Sequence, residues 1–474
     1  MTTLADATVG NVQRGAGPVR APVQVDGLIW QTRADFSAAL RAAGAWRQDP
    51  SAAGFQLVKR GQGREVWRGA LGGISVFVKI LRVTGWVGLG QRLLGRTAGA
   101  AEWRGLLRLE SAGVLTPTPL AFAAGKERDG RPVEILVTEA VERAHELDSF
   151  WRGIRSDQDE ARRRRQSTDL TASVADLIAR SHQAGIAHPD LHPQNILVRV
   201  DSPGRYTPLL VDVRLGHSGR MVEAEDIVRN LTQLNQWFQR YASITDRWRF
   251  LKAYVRSHQQ HEHAFDTAAP LALSIDALWE ETRRRGPAYG ERLARKRDAR
   301  LRGGNAYFAD LRIAGGVGQA CLQLKRPISG SVLEMGRLSR SAWEEAIVAA
   351  AVEPAGAELR NVSASLGSGR TVSLAMYVPT DKPSGWAREA FAYAHKLAHR
   401  HAPVAPPMAW ARRGDVEFLV FEAPIGWRLR PIEPQSVGDL AVFSRVFDPR
   451  GAQGRARRLI SRLTRDTETL WIVG

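Results

Sequence analysis

The chain has 474 residues, 44% hydrophobic and 24% charged, ordinary proportions for a globular protein and long enough for two to four domains. Its 67 Lys and Arg against 49 Asp and Glu give a formal charge of +18. That surface favours anionic partners such as nucleic acid, acidic lipid headgroups or phosphorylated glycans, unless it simply reflects an arginine-rich proteome. A single cysteine, Cys321, excludes an internal disulfide and a cysteine-rich zinc site and suits a reducing compartment. No run of about 18 apolar residues is present, so no membrane span is expected, and the first residues lack the apolar core of a signal peptide.

Residues 1–26 show no periodicity and are read as a mobile tail. Strand-like runs follow at Phe55–Lys59, Glu65–Arg68 and Ile74–Ile80, separated by Gly61, Gly63, Gly72 and Gly73. A helix is expected over Ala101–Ala112, with Trp103, Leu106, Leu107 and Leu109 apolar, closed by Pro117 and Pro119. A further strand at Glu134–Thr138 ends in Glu139-Ala140-Val141. From about residue 145 the pattern turns helical: Leu170, Val174, Leu177 and Ile178, then Ile227, Leu231, Leu234 and Phe238. Thr245-Asp246 is expected to cap the helix carrying Trp248, Leu251 and Val255. The order is a β-rich small lobe, a hinge and a helical large lobe, an α+β two-lobed fold of the protein-kinase type with a nucleotide cleft between the lobes.

The most specific signal is His188-Pro189-Asp190-Leu191-His192-Pro193-Gln194-Asn195, followed by Leu209-Leu210-Val211-Asp212. Asp190 and Asn195 are five positions apart, the interval of a kinase catalytic loop, and a second carboxylate follows an apolar strand. Asp190 is the candidate base for an attacking hydroxyl. Asn195 and Asp212 are the candidate magnesium ligands holding ATP phosphates. Lys79, in the strand Val76–Leu81, suits a nucleotide-phosphate contact, against the alternative of an edge-strand solubility lysine. Glu102 is favoured over Glu110 as its ion-pair partner. Gly61 and Gly63 stand in a hairpin able to approach phosphate closely, with Arg60 and Arg64 beside them, although Gly-x-Gly is often only a turn. Glu139 and Val141 at the hinge complete the cofactor-binding set. His188 is read as a brace for the loop; His192 either hydrogen-bonds the loop or touches phosphate or metal. The Arg-rich runs 162–165 and 292–302 are either anion-binding patches or solvated faces.

These stretches resemble the lipopolysaccharide kinases of the Kdo/WaaP group. The resemblance covers roughly residues 50–300 and rests on GREVWRGALGGISVFVKIL, EWRGLLRLESAGVLTPTPLAF, EILVTEAVERAHEL, HPDLHPQNILV and NLTQLNQWFQRYASITDRWRFLKAYV. It implies a protein-kinase fold and ATP-dependent phosphorylation of a Kdo or heptose hydroxyl in the lipopolysaccharide inner core. It also implies the roles given above for Lys79, Glu102, Asp190, Asn195 and Asp212. The loop departs in reading His-Pro-Asp, and Asp212 is followed by Val213-Arg214; the Asp-Leu-His-Pro-x-Asn stretch also looks like small-molecule phosphotransferases. The expected location is cytoplasmic, with peripheral contact at the cytoplasmic face of the inner membrane left open, and nucleic acid is not expected as a partner.

The C-terminal third repeats the small lobe in outline. EAFAYAHKLAHRHAPVAPPMAWA parallels the helix and Pro pair, and EFLVFEAP parallels EILVTEAV. Glu389 is retained in this alignment, Met376-Tyr377-Val378 stands where lysine belongs, and no second His-x-Asp loop follows. The expected domains are a tail (1–26), a small lobe (27–141), a large lobe (142–303) and a degenerate, truncated kinase-like module (304–474). The competing reading is a pseudokinase or scaffold that holds an anionic glycolipid or nucleic acid through its basic surface. Retention of Lys79, Asp190, Asn195 and Asp212 together speaks against it.

Overall fold

The structure is a computed structural model that describes residues 22–42, 46–47, 49–61, 63–82, 97–127, 129–202, 204–214, 222–261, 274–305, 307–322, 339–349, 359–365, 371–379, 382–400, 406–422, 428–432 and 442–446. It forms two compact units, Met1–Gly286 and Pro287–Gly474.

The first unit opens with β1 (Val23–Val25) and β2 (Leu28–Thr32), so the last residues assigned to the tail are structured; residues 1–21 lie outside the described residues. Asp26 and Gly27, at φ +50° and +72°, supply the two-residue turn between these strands. Next come α1 (Ser37–Ala42), β3 (Gln56–Gly61), β4 (Arg64–Leu71), β5 (Ile74–Arg82), α2 (Ala98–Ser111), β6 (Pro119–Lys126) and β7 (Pro132–Glu139). The strands form one antiparallel sheet in the order β1-β2-β6-β7-β5-β4-β3. Strand alternation buries Val76, Val78 and Ile80 in one core with Trp67, Ile135 and Val137. It turns Lys79 to the other face, where α2 packs through Trp103 and Leu106 on Phe122 and Leu136. Glu134 of β7, itself buried, reaches the start of α2: it accepts from the Thr97 hydroxyl and, at 3.0 Å, from the Gly99 N–H. A carboxylate there satisfies orphan amides and the helix dipole together.

The helical lobe holds β8 (Ala144–Glu146), α3 (Leu147–Ser156), α4 (Glu160–Gln183), β9 (Ile196–Ser202), β10 (Arg205–Leu210), α5 (Ala224–Tyr241), α6 (Ile244–His261) and α7 (Ile275–Asp298), which straddles the boundary between the units. The apolar stripes of α4, α5 and α6 meet through Leu170, Val174, Leu177, Ile178, Ile227, Leu231, Leu234 and Leu251. The cap of α6 is Ser243 rather than Thr245. The Ser243 hydroxyl accepts from the Asp246 N–H at 3.1 Å while the Asp246 carboxylate accepts from the Ser243 N–H at 3.2 Å.

The second unit contains β11 (Phe308–Ile313), β12 (Gly316–Cys321), α8 (Arg340–Ala349), β13 (Leu359–Ser365), β14 (Thr371–Tyr377), α9 (Trp386–His399), β15 (Ala409–Arg413) and β16 (Val416–Glu422), then a hairpin of β17 (Arg428–Ile432) and β18 (Val442–Val446). Its main sheet runs β11-β12-β15-β16-β14-β13, also antiparallel. Strand for strand this is the order β1-β2-β6-β7-β5-β4 of the first unit. The helix cap is repeated too: Glu417 of β16 accepts from the Gly385 N–H at 2.7 Å and the Ala387 N–H at 3.0 Å. The fold is therefore a two-lobed, protein-kinase-like unit followed by a partial copy of its small lobe.

Candidate active site

β5 and α2 bring Lys79 and Glu102 together. The Lys79 ammonium contacts the Glu102 carboxylate and also the Asp212 carboxylate. Lys79 is 13% exposed and Glu102 3%, so this pairing is desolvated and sensitive to loss of either charge. Glu110, the competing candidate, instead pairs with Arg33. Arg64, first residue of β4, also reaches Asp212, its Nη2 lying 3.3 Å from Oδ1 and 3.4 Å from Oδ2. Burial alone would raise the Asp212 carboxyl; the Lys79 and Arg64 cations overcome that and hold it well below the usual carboxylate range. Asp212 sits at φ +57°, a left-handed conformation that Asp tolerates at a cost of roughly 1 kcal/mol or more.

The loop before β9 is wired to Asp212 through backbone and imidazole. The His188 Nε2–H donates to the Val211 carbonyl at 2.9 Å, and His188 Nδ1 accepts from the Asp190 N–H at 3.1 Å. Burial lowers the His188 pKa, consistent with this neutral tautomer. The Asn195 Nδ2 donates to the Asp190 carbonyl at 2.8 Å, and the Val211 N–H donates to the Asn195 carbonyl at 3.0 Å. These bonds put Asp190, Asn195 and Asp212 in one connected frame. Asp190 presents its carboxylate outward, 64% exposed, with His192 Nε2 at 3.5 Å.

Behind the loop stand two amides of α5 that the sequence reading passed over. Asn230 accepts from the His188 N–H at 2.8 Å and donates to the His188 carbonyl at 2.7 Å. Gln233 accepts from the Leu191 N–H at 3.1 Å. Polar residues at 230 and 233 next to the apolar stripe of Ile227, Leu231 and Leu234 were the available signal.

Of the remaining candidates, Gly61 and Gly63 flank the β3–β4 turn. Gly63, at φ +68°, gives its carbonyl to the Arg82 N–H at 2.7 Å, and an added Cβ would lie 2.9 Å from the Arg82 carbonyl oxygen. Glu139 and Val141 lie where β7 hands the chain to β8; the Glu139 N–H is taken by Thr118 and the Ala140 N–H by Ser75, both at 2.9 Å. Arg60 pairs with Glu65 and Arg162 with Asp157, as surface ion pairs.

The second unit has no such constellation among its described residues. Lys79 faces Leu136 across the sheet, two residues beyond the capping Glu134; in the copy, Tyr377 faces Leu419, two beyond Glu417. Counted from the caps Thr97 and Gly385, the place of Glu102 falls on buried Ala390, and Glu389, which the sequence alignment had matched to Glu102, is exposed.

Residues 76–254 match the model of the Lipopolysaccharide kinase (Kdo/WaaP) family. Lipopolysaccharide core heptose(I) kinase WaaP of Pseudomonas aeruginosa is 31% identical over 146 residues, 30% of this chain and 53% of that protein. The 3-deoxy-D-manno-octulosonic acid kinase of Actinobacillus succinogenes is 34% identical over 137 residues, 29% of this chain and 53% of that protein. The chain thus spans about half the length of these curated relatives. Among solved structures, WaaP in complex with acyl carrier protein overlaps at 20% identity, covering 52% of this chain and 94% of that one with a TM-score of 0.38. A glucosamine kinase in complex with glucosamine, ADP and inorganic phosphate overlaps at 12% identity, covering 60% and 90% with a TM-score of 0.32. Over residues 76–254 the chain carries the sequence pattern of the Lipopolysaccharide kinase (Kdo/WaaP) family, set on a protein-kinase-like fold.

Proposed function

We propose that the first unit transfers the γ-phosphate of ATP to a hydroxyl of an inner-core lipopolysaccharide sugar, a Kdo or a heptose. The observation that carries this reading is the meeting of Lys79 with both Glu102 and Asp212, beside a loop that holds Asp190 and Asn195 in register. Glu102 steadies the Lys79 ammonium so that it can hold nucleotide phosphate. The glycines of the β3–β4 turn let backbone approach the same anion, and the hinge at Glu139 and Val141 borders the cleft. Asp190, exposed toward an incoming hydroxyl, accepts its proton, and His188 acts as a positioning residue through the Asp190 N–H. A magnesium ion fits the donor set, since the Asp212 carboxylate and the Asn195 amide oxygen are hard oxygen ligands and the Asn195 NH₂ is already committed to the Asp190 carbonyl. When bound, it neutralises charge on the phosphates. Nucleotide and metal must displace Lys79 and Arg64 from Asp212, and Arg64 then becomes a second phosphate contact.

The curated relatives' names, a lipopolysaccharide core heptose kinase and a 3-deoxy-D-manno-octulosonic acid kinase, support a sugar of that kind as the acceptor, and no described helix is long and apolar enough to cross a membrane. Work at the cytoplasmic face of the inner membrane, with the basic surface against anionic headgroups, completes the reading. The test incubates the full chain with magnesium, ATP and lipopolysaccharide from cells lacking the gene, and weighs the core oligosaccharide by mass spectrometry. One added phosphate is expected. Asp190→Ala lowers the rate by about 10² to 10⁴-fold with ATP affinity nearly unchanged; an unaltered rate rejects the assignment. Absence of transfer, with slow ATP hydrolysis that Asp212→Ala abolishes, keeps the chemistry and rejects the acceptor.

A further inference from the structure

The second unit has lost the lysine–glutamate pair but holds a cavity of about 460 Å³, within the range of small-ligand sites. It is lined by Arg295 and Asp298 of α7, Arg302 of the following turn, Gln319 of β12, and Arg388, Phe391 and Lys396 of α9. Phe391 stands where the first unit has Trp103, whose indole donates to Gln31 at 2.8 Å. In the copy the matching Gln319 donates instead to the Leu301 carbonyl at 3.0 Å and to the Asp310 carboxylate, outside the lining, at 3.3 Å.

The charge of this cavity is one-sided. Its only lining carboxylate, Asp298, is already held by His399 at 2.8 Å and Arg400 at 2.9 Å, and that pairing keeps its carboxyl below the usual range despite burial. Arg295 pairs with Glu291 at 3.0 Å. Among the described residues, Arg302, Arg388 and Lys396 pair with no carboxylate. Three uncompensated cations converging on one concavity repel one another and are relieved by a multiply charged anion. Arginine forks match phosphate oxygens, and the volume exceeds what a bare phosphate fills.

We propose that this cavity binds a phosphate group carried on a sugar-sized body, drawn either from a soluble sugar phosphate or from a phosphorylated glycolipid headgroup. The inference does not depend on the activity of the first unit. Full-length protein is titrated with mannose phosphate, mannose, inorganic phosphate, and phosphatidylcholine vesicles with and without lipid A. The same titrations are run on Arg388→Gln combined with Lys396→Gln, both exposed helix positions that glutamine fills without strain. Saturable binding of mannose phosphate that weakens with salt and falls about tenfold or more in the double variant is expected, with ATP binding unchanged. Binding of lipid A vesicles alone, lost in the double variant, supports the site and assigns the phosphate to a lipid. The proposal is overturned if neither phosphorylated probe binds at low salt, if the double variant binds as the parent does, or if inorganic phosphate binds as tightly as mannose phosphate.

Discussion

Lys79 has two carboxylates within reach and one charge to share, so its environment is balanced only while Glu102 remains charged and buried beside it. Lys79→Met strands a carboxylate that is 3% exposed, and an orphaned buried charge destabilises by about 3 kcal/mol or more. Asp212 is less affected, because Arg64 stays. Adding Glu102→Gln to Lys79→Met should recover most of the lost stability in denaturant titrations, yet neither variant should transfer phosphate. If the double variant is as unstable as the single one, Glu102 is not the partner that matters. The two roles separate because stability needs charge balance, whereas transfer needs a cation aimed at phosphate. Asp212 illustrates the same point from the other side. A left-handed carboxylate held by two cations has its local cost offset by its neighbours, as expected of a functional position.

Gly105 links α2 to the segment just past β10 that carries Asp212. A Cβ there would lie 2.2 Å from the Val213 carbonyl oxygen, closer than real contacts allow, so the helix backbone rests directly on the residue after Asp212. Gly105→Ala must therefore push α2 and Glu102 away from Asp212, and a displacement of about 1 Å at a reacting centre lowers turnover by about 10²-fold. Overpacking should cost roughly 1 to 3 kcal/mol in addition. A variant that keeps full kcat would show that the helix position is not coupled to the segment carrying Asp212. This contact was not legible in the chain, where Gly105 reads as one more residue of an apolar turn, because a close backbone approach has no local signature. The elements themselves were legible: strand alternation around Lys79 and the loop spacing from Asp190 to Asn195 are period and interval rules that survive folding. The first hairpin carried a signal that went unread, Asp26-Gly27 between pairing residues. The error at Glu389 arose because identity was matched along the chain, whereas the true correspondence runs through the caps Thr97 and Gly385. Asn230 and Gln233 were missed because their partners are loop amides distant in sequence.

Across the molecule, each unit has its own core. In the first, His182 is buried between the Tyr254 hydroxyl at 2.8 Å and the Asn230 side-chain Oδ1 at 3.2 Å, the same Asn230 that braces the loop at His188. Burial lowers its pKa from 6.5 to about 4. The unfolded chain therefore binds more protons between those values, so this stability is full above pH 6.5 and is lost as pH falls toward 4, about 2 kcal/mol of it by pH 5. Denaturation midpoints of His182→Gln should vary less between pH 7 and pH 5 than those of the parent; equal slopes would remove His182 as the cause. The second unit repeats the strand order and the glutamate cap but carries Tyr377 and Ala390 where the first has Lys79 and Glu102. The sheet and the glutamate cap are what fold the lobe in both units, and neither needs the lysine–glutamate pair. Magnesium with ATP should then slow hydrogen exchange at residues 64–82 and 188–212 while leaving 371–377 and 386–399 unchanged. Protection of 371–377 or 386–399, in the parent or in Asp212→Asn, would mean that the copy binds nucleotide through groups other than a lysine and a glutamate.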